Sequence, residues 1–258
     1  YTDYALMTAD QAIGADAAHV FNALSMGEVL EESRELMVAP ACLRPKILAL
    51  IDREIEAARA GEEACLGFKL NGLTDKVLIE KFIEASQAGV KIDLVVRGIC
   101  CLIGGVPGKT DNIRVISIVG RYLEHARIYI FGPEERRQVY ISSADFMTRN
   151  TSKRVEVAAP VHDPVLRAQL EEMFRCELRD TAKGRRQQPD GSYVRMEGEP
   201  FNSQERFCDE AYRGAWTVTA PAKPGKKQTG SAEGAEPPEA KTTTRRGLLG
   251  RLFGRDQG

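Results

Sequence analysis

Two short apolar runs, Leu66-Gly67-Phe68-Lys69-Leu70 and Ile92-Asp93-Leu94-Val95-Val96, frame the stretch that decides the fold. Each is rich in residues that favour strands. Between them Thr74 or Asp75 can cap a helix whose inward face carries Ile79, Phe82 and Ile83, and Gly89 is placed to end it. A strand–helix–strand step of this kind implies two parallel strands joined by a right-handed crossover.

Working outward, the same alternation continues. Upstream, Leu36-Met37-Val38-Ala39-Pro40 reads as a strand closed by proline. Ile47, Leu50, Ile51, Ile55 and Ala58 recur at helical spacing between Leu43 and Ala60. Further back, a short strand Tyr4-Ala5-Leu6-Met7 is expected, then a helix capped by Asp16 with Ala17, Val20, Phe21 and Leu24 on one face. Downstream, strands fit Ile113–Val119, Arg127–Phe131, Val139–Ser142 and Val155–Val157, and Asp163-Pro164 opens a helix with Leu166, Leu170, Phe174 and Leu178 on one face. The class is α/β. Past Lys183 the chain turns polar, with a hairpin turn at Pro189-Asp190-Gly191-Ser192. From Thr217 it is too poor in large apolar residues to offset the entropy of ordering, so a disordered tail is expected there. The tail ends in Arg245-Arg246-Gly247-Leu248-Leu249-Gly250-Arg251-Leu252-Phe253, a patch suited at most to weak peripheral contact with an anionic membrane.

Composition narrows the function. The 258 residues contain 36 Lys plus Arg against 37 Asp plus Glu, a balance that argues against nucleic-acid binding by the whole protein. No apolar run is long enough for a membrane span. The chain opens Tyr1-Thr2-Asp3, without Met, basic n-region or apolar h-region, so a cytoplasmic protein and a piece of a longer chain are expected. The six cysteines contain no C-x-x-C pair and read as reduced thiols. Gly104-Gly105-Val106-Pro107-Gly108-Lys109-Thr110 imitates a phosphate-binding loop. However, Ile103 stands where the motif's first glycine belongs and Pro107 removes a backbone donor, so a plain glycine-rich loop is expected.

Of three histidines, His19 and His162 read as structural or surface residues. His125 stands between Arg121 and Arg127 just before a strand, where an imidazole can serve an anionic substrate or simply be structural. Arg97 ends its strand, where open α/β sheets bind ligands, and Arg149, Lys153 and Arg154 follow the turn Ser142-Ser143-Ala144-Asp145. Guanidinium forks near strand ends suit phosphate.

The segment from Ala85 to Cys101, with Val95-Val96-Arg97-Gly98-Ile99-Cys100-Cys101 at its end, closely resembles polyphosphate kinase. So do Asp111-Asn112-Ile113-Arg114, Ser117-Ile118-Val119-Gly120-Arg121-Tyr122-Leu123-Glu124-His125 and Ser142-Ser143-Ala144-Asp145-Phe146-Met147-Thr148-Arg149-Asn150. The resemblance is to the C-terminal region and runs from Tyr1 to about Glu205. It implies a phospholipase D-like mixed sheet flanked by helices. It also implies four segments: residues 1–36 as the end of a penultimate catalytic domain, 37–183 as the second phospholipase D-like domain, 184–216 as its extension and 217–258 as the tail. The implied reaction moves the ATP γ-phosphate reversibly, through a phosphohistidine, to the end of a polyphosphate chain, with ATP or ADP and polyphosphate as partners in a homo-oligomer. That phosphohistidine and the ligands of its Mg2+ are expected upstream of Tyr1, with no metal ligand in this chain. By the resemblance Tyr1, Arg97 and His125 contact ATP, while Arg154 and Glu156 form a charged pair that matters for activity. His125-Ala126-Arg127 departs from the His-x-Lys of phospholipase D, and Phe146 stands where relatives often have Trp. A phospholipase D-like phosphodiesterase and a non-catalytic polyphosphate- or nucleotide-binding module are the alternatives.

Overall fold

The structure, a computed structural model, describes residues 1–213; the expected tail and its basic patch lie outside the described residues. The two framing runs are β2 (Cys65–Leu70) and β3 (Lys91–Val96), parallel and in register from Cys65 opposite Lys91 to Leu70 opposite Val96. Asp75 caps the helix between them, α3 (Lys76–Gln87), by accepting the N–H groups of Val77 and Leu78. The chain leaves α3 through Gly89 at a φ of +101°, a conformation that glycine adopts without strain.

Around this unit a nine-stranded mixed sheet assembles, with strand order β1-β7-β6-β5-β2-β3-β4-β8-β9. On one side β4 (Ile113–Ile118) joins β3 in parallel. A hairpin of β8 (Gly184–Gln187) and β9 (Tyr193–Arg195) then joins β4 antiparallel. On the other side β5 (Arg127–Phe131), β6 (Gln138–Ser142), β7 (Glu156–Pro160) and β1 (Met37–Ala39) pair antiparallel in turn. One face is covered by α2 (Leu43–Arg59) and α3, and the other by α5 (Pro164–Leu178), which starts at the Asp163 cap with proline in its first turn. Gly67 lets α5 lie close, because a Cβ there would meet the Phe174 ring at 2.8 Å. The α/β mixed sheet flanked by helices that the sequence implied is therefore present.

Three local expectations need correction. Tyr4-Ala5-Leu6-Met7 forms no strand; the segment's ladder contact is a bridge from Thr2 to Glu124, while Tyr4 and Leu6 pack on the α5 side of the sheet. The first helix, α1 (Gln11–Ser25), is capped by Asp10, whose carboxylate accepts the Ala12 and Ile13 N–H groups. Asp16 lies inside it, buried, accepting the N–H groups of Arg34 (3.1 Å), Glu35 (2.6 Å) and Leu36 (2.9 Å). The buried stripe is Ile13, Asp16, Val20 and Ala23, leaving Phe21 and Leu24 exposed; an inward carboxylate satisfied by distant backbone has no hydrophobic signature. A polar helix, α6 (Ser203–Arg213), also forms where no element was expected. Its first residue, Ser203, bonds the fully buried Asp180 through both its N–H (2.8 Å) and its hydroxyl (2.6 Å).

The core centres on Phe68. Its ring contacts those of Phe82, Tyr129, Phe131 and Phe146 at centroid distances of 5.2, 5.7, 5.3 and 5.1 Å. Phe68→Ala would leave a cavity walled by these rings, and denaturant unfolding should show a loss of about 3–5 kcal/mol. A loss below about 1 kcal/mol would contradict this packing.

Opposite Phe68, on the α5 face, lies a charge. Lys69 is 1% exposed, and its ammonium bonds both Glu124, in the loop before β5, and Glu177 of α5 (2.6 Å). The Glu124 carboxylate also accepts the Thr2 hydroxyl (2.6 Å) and the Gln204 amide (2.5 Å). Burial disfavours its charge, but the Lys69 ammonium and these hydrogen bonds outweigh it and hold Glu124 below its usual range. Burial also opposes the Lys69 charge, and the two carboxylates reverse that effect and raise it. Glu177 has one oxygen without a hydrogen-bond partner, and burial, with the Glu124 charge adding, pushes it up to about 7 despite Lys69.

Between about pH 4.5, where an unperturbed glutamate titrates, and about pH 7, the folded state therefore binds the Glu177 proton more tightly than the unfolded chain. Stability from this group falls as pH rises through that window, by on the order of 2–3 kcal/mol. Urea unfolding at about pH 5 and about pH 7 should show this loss in the wild type and a flatter profile in Glu177→Gln. Identical profiles would contradict the assignment.

Candidate functional site

The strand ends nearest the middle of the sheet carry the candidate site. Asn71 directly follows β2, Arg97 follows β3, and Arg127 opens β5, which runs antiparallel to β2. These three positions therefore meet at one edge of the sheet. Asp145, buried in the turn after β6, organises them. Its Oδ1 accepts the Asn71 N–H at 2.6 Å, and its two oxygens take the Arg127 fork at 3.3 and 3.0 Å. The Asn71 amide donates to the His125 carbonyl (3.2 Å) and accepts from Arg97 Nε (2.8 Å). One amide side chain thus ties Arg97 to the His125 backbone.

The N-terminal segment supplies the other wall. Thr2 donates its N–H to the Leu123 carbonyl (2.8 Å), and its own carbonyl accepts the N–H groups of His125 (3.2 Å) and Ala126 (2.8 Å). This pairing places Tyr1 and Asp3 on either side of the imidazole. The Tyr1 and His125 rings meet edge-on at 5.3 Å, and Asp3 Oδ2 lies 2.9 Å from His125 Nδ1. The Arg127 guanidinium lies 3.3 Å from His125 Nε2. Burial pushes Asp3 up, but the His125 and Tyr4 hydrogen bonds and the neighbouring His125 and Arg127 charges prevail and hold it below its ordinary value. Asp3, His125, Arg127, Ser142 and Ser143 line a cleft of about 400 Å³.

Tyr1, Arg97 and His125, expected together, are thus joined into one cluster by Thr2, Asn71 and Asp145. Arg154 and Glu156 make no ion pair with each other among the described residues. Glu156 is held by the Ser143 hydroxyl (2.5 Å) and the Asn150 amide (2.6 Å), and Arg154 is exposed. Because Ser143 also lines the cleft, Glu156 reaches the His125 side of the sheet through it. Arg149 and Lys153 are exposed on and just after the single turn α4 (Thr148–Ser152). The glycine-rich loop is an irregular connection fastened by Thr110, whose hydroxyl accepts the Val106 N–H (2.9 Å) and donates to the Ile103 carbonyl (2.7 Å). His19 is exposed, His162 pairs with Glu35 at 3.1 Å on the surface, and all six cysteines are free.

Magnesium finds no suitable donor set in this cluster. Asp145 is committed to Arg127 and backbone, Asp3 faces His125, and no group of three or more His, Cys, Asp or Glu among the described residues could hold a metal ion. What the site offers is cations, one imidazole and an exposed phenol. That combination neutralises and positions oxyanions.

Asp3, Asn71 and Asp145 were not assigned roles from the sequence. Asp3 lies 122 positions from its histidine partner, and no local pattern links them. Asn71 carried a faint signal, as a polar residue directly after an apolar strand.

Residues 36–205 match the family described as polyphosphate kinase C-terminal domain 2. Among curated proteins, a polyphosphate kinase of Bacillus anthracis is 43% identical over 83% of this chain and 31% of its own length. One of Staphylococcus haemolyticus is 45% identical over 83% and 30% respectively, so this chain spans about three-tenths of the length of these relatives. The crystal structure of polyphosphate kinase from Porphyromonas gingivalis superposes with a TM-score of 0.74 at 36% identity, covering 81% of this chain and 33% of that one. Among the described residues no helix is long and apolar enough to cross a membrane. With the match covering most of the chain, and the motifs around Arg97, His125 and Asp145 inside it, this protein belongs to the polyphosphate kinase family.

Proposed function

We propose that this chain forms the nucleotide-facing part of an enzyme that reversibly transfers the γ-phosphoryl group of ATP to the end of an inorganic polyphosphate chain. The transfer passes through a phosphohistidine that is none of the three histidines here. The observation that carries this reading is the single cluster of Tyr1, Arg97, His125 and Arg127 at one sheet edge, in a chain of this family.

Phosphoryl transfer depends chiefly on positioning and charge neutralisation. Arg97 and Arg127 supply guanidinium groups for phosphate oxygens. The Asp145 fork fixes the Arg127 side chain, so less freedom is lost when an anion arrives. Tyr1, 81% exposed, offers its ring to the adenosine. With Nδ1 held by Asp3, His125 serves the transferring group as acid or electrostatic stabiliser. Glu156 borders the same cleft through Ser143, and the exposed Arg154, two residues before it, supplies a further cation for the phosphate chain. Magnesium, where it takes part, is held by residues outside the described cluster and supplies charge neutralisation to the ATP phosphates.

In the full enzyme, His125→Ala should leave the fold intact and cut polyphosphate synthesis from ATP by roughly two to four orders of magnitude. Near-normal synthesis would overturn the role given to His125. This chain by itself should form no acid-labile phosphohistidine on incubation with ATP labelled in the γ-phosphate, and its appearance would place the nucleophile among the histidines here.

A further inference from the structure

The sheet edge that carries Arg127 and Arg97 continues past them. Ser117, next to last in β4, donates its hydroxyl to the Arg97 carbonyl at 3.1 Å. Ser117 stands opposite Arg185 of β8, and Arg185 stands opposite Arg195, the last residue of β9. Because β5 and β8 run antiparallel to β2 and β4, their first residues come to the edge where β2, β3 and β4 end, and so does the end of β9. Arg127, Arg97, Arg185 and Arg195 therefore stand along one edge, with β2 between the first two, β4 between the next two, and the last two on adjacent strands about 4.8 Å apart. Lys183, just before β8, and Arg121, just after β4, flank the row and line a cavity of about 610 Å³, whose walls also include Glu205 and Asp209.

The side chains of Arg185 and Arg195 have no evident part in the packing of the sheet. Both are exposed and, among the described residues, neither has a carboxylate partner. They are directly opposed like charges on adjacent strands, an arrangement that destabilises a sheet. The next residue on that face of β8, Gln187, is buried and bonds the Gly104 N–H (2.9 Å) and the Leu102 carbonyl (3.2 Å). The loop thus covers the far end of the hairpin face and leaves the arginine end open.

We propose that this row is a binding track for the polyphosphate chain, carrying the phosphates beyond the reacting one across the β8–β9 hairpin. The inference rests on the function proposed above and adds where the polymer lies. Guanidinium groups spread along an edge six strands wide suit an anion with charge on every unit better than a single phosphate. Sites for single-stranded nucleic acid add exposed aromatic platforms to such a groove. The aromatic residue of this hairpin, Tyr193, is half-buried.

The test measures binding of long-chain inorganic polyphosphate, tripolyphosphate, ATP and a single-stranded RNA oligonucleotide to the full chain at several salt concentrations. Wild type is compared with Arg185→Gln/Arg195→Gln and with Arg185→Lys/Arg195→Lys. In the Gln pair, long-chain affinity should fall roughly ten- to hundredfold. Its salt dependence should flatten by about 1.4 in log–log slope, for two lost contacts. ATP and tripolyphosphate binding and the melting temperature should not fall, and the Lys pair should retain most of the long-chain affinity. Unchanged long-chain binding in the Gln pair would overturn the track and leave the proposed function standing. Wild type that binds ATP but no polyphosphate would overturn both. RNA bound as tightly as polyphosphate, and lost equally in the Gln pair, would overturn the polyphosphate assignment in favour of nucleic acid.

Discussion

A single buried ammonium joins parts of the chain that are far apart in sequence. Lys69 leaves β2 on the α5 side and meets Glu124 and Glu177, so the central strand, the loop carrying His125 and α5 are held at one point. Through Glu124 the same point reaches Thr2 and Gln204, and with them the N-terminal segment and α6. Removing water from three ionisable groups is costly, and a buried cluster of this kind is poor evidence for net stability. Its value here is geometric. Thr2 and Glu124 are fastened together; Asp3 beside the one and His125 beside the other line the cleft, and Tyr1 meets the His125 ring edge-on.

The sheet supplies the second half of the arrangement. Parallel strands bring Asn71, Arg97 and Ser117 to one edge, and antiparallel neighbours bring Arg127, Arg185 and Arg195 to the same edge from the opposite chain direction. Mixing strand directions therefore gathers cations that are scattered in sequence into a single row, with an imidazole and a phenol at one end. Aromatic packing around Phe68 keeps the centre of that sheet rigid beneath the site.

Much of this was legible in the sequence, and the limits have physical causes. β2, β3 and β5 were readable from their apolar, branched runs, α3 from apolar periodicity with a capping aspartate and a helix-ending glycine, and α5 from apolar periodicity with a capping aspartate and a proline at its start. Arg97 and His125 stood out by their places beside strands, Tyr1 was named through the family resemblance, and the structure shows what connects the three: Thr2, Asn71 and Asp145. Those connectors are ordinary polar residues whose partners lie 18 to 122 positions away, so no short window of sequence reveals them. The same cause hid Asp16, an inward carboxylate on α1, and α6, whose buried residues are Ser203 and Gln204 rather than apolar ones. Lys69, inside a run read as strand, gave no sign that its charge is buried, because its counter-ions come from a loop and a distant helix.

The Lys69 cluster holds the N-terminal segment against the His125 loop. The most direct test of this is amide hydrogen exchange in a protein with Lys69→Met, Glu124→Leu and Glu177→Leu combined, which replaces the ions by apolar groups and leaves no charge stranded. The amides of His125 and Ala126, both bonded to the Thr2 carbonyl, are predicted to lose protection while those of β2 and β3 keep theirs. Retention of wild-type protection at His125 and Ala126 in a folded triple variant would contradict it.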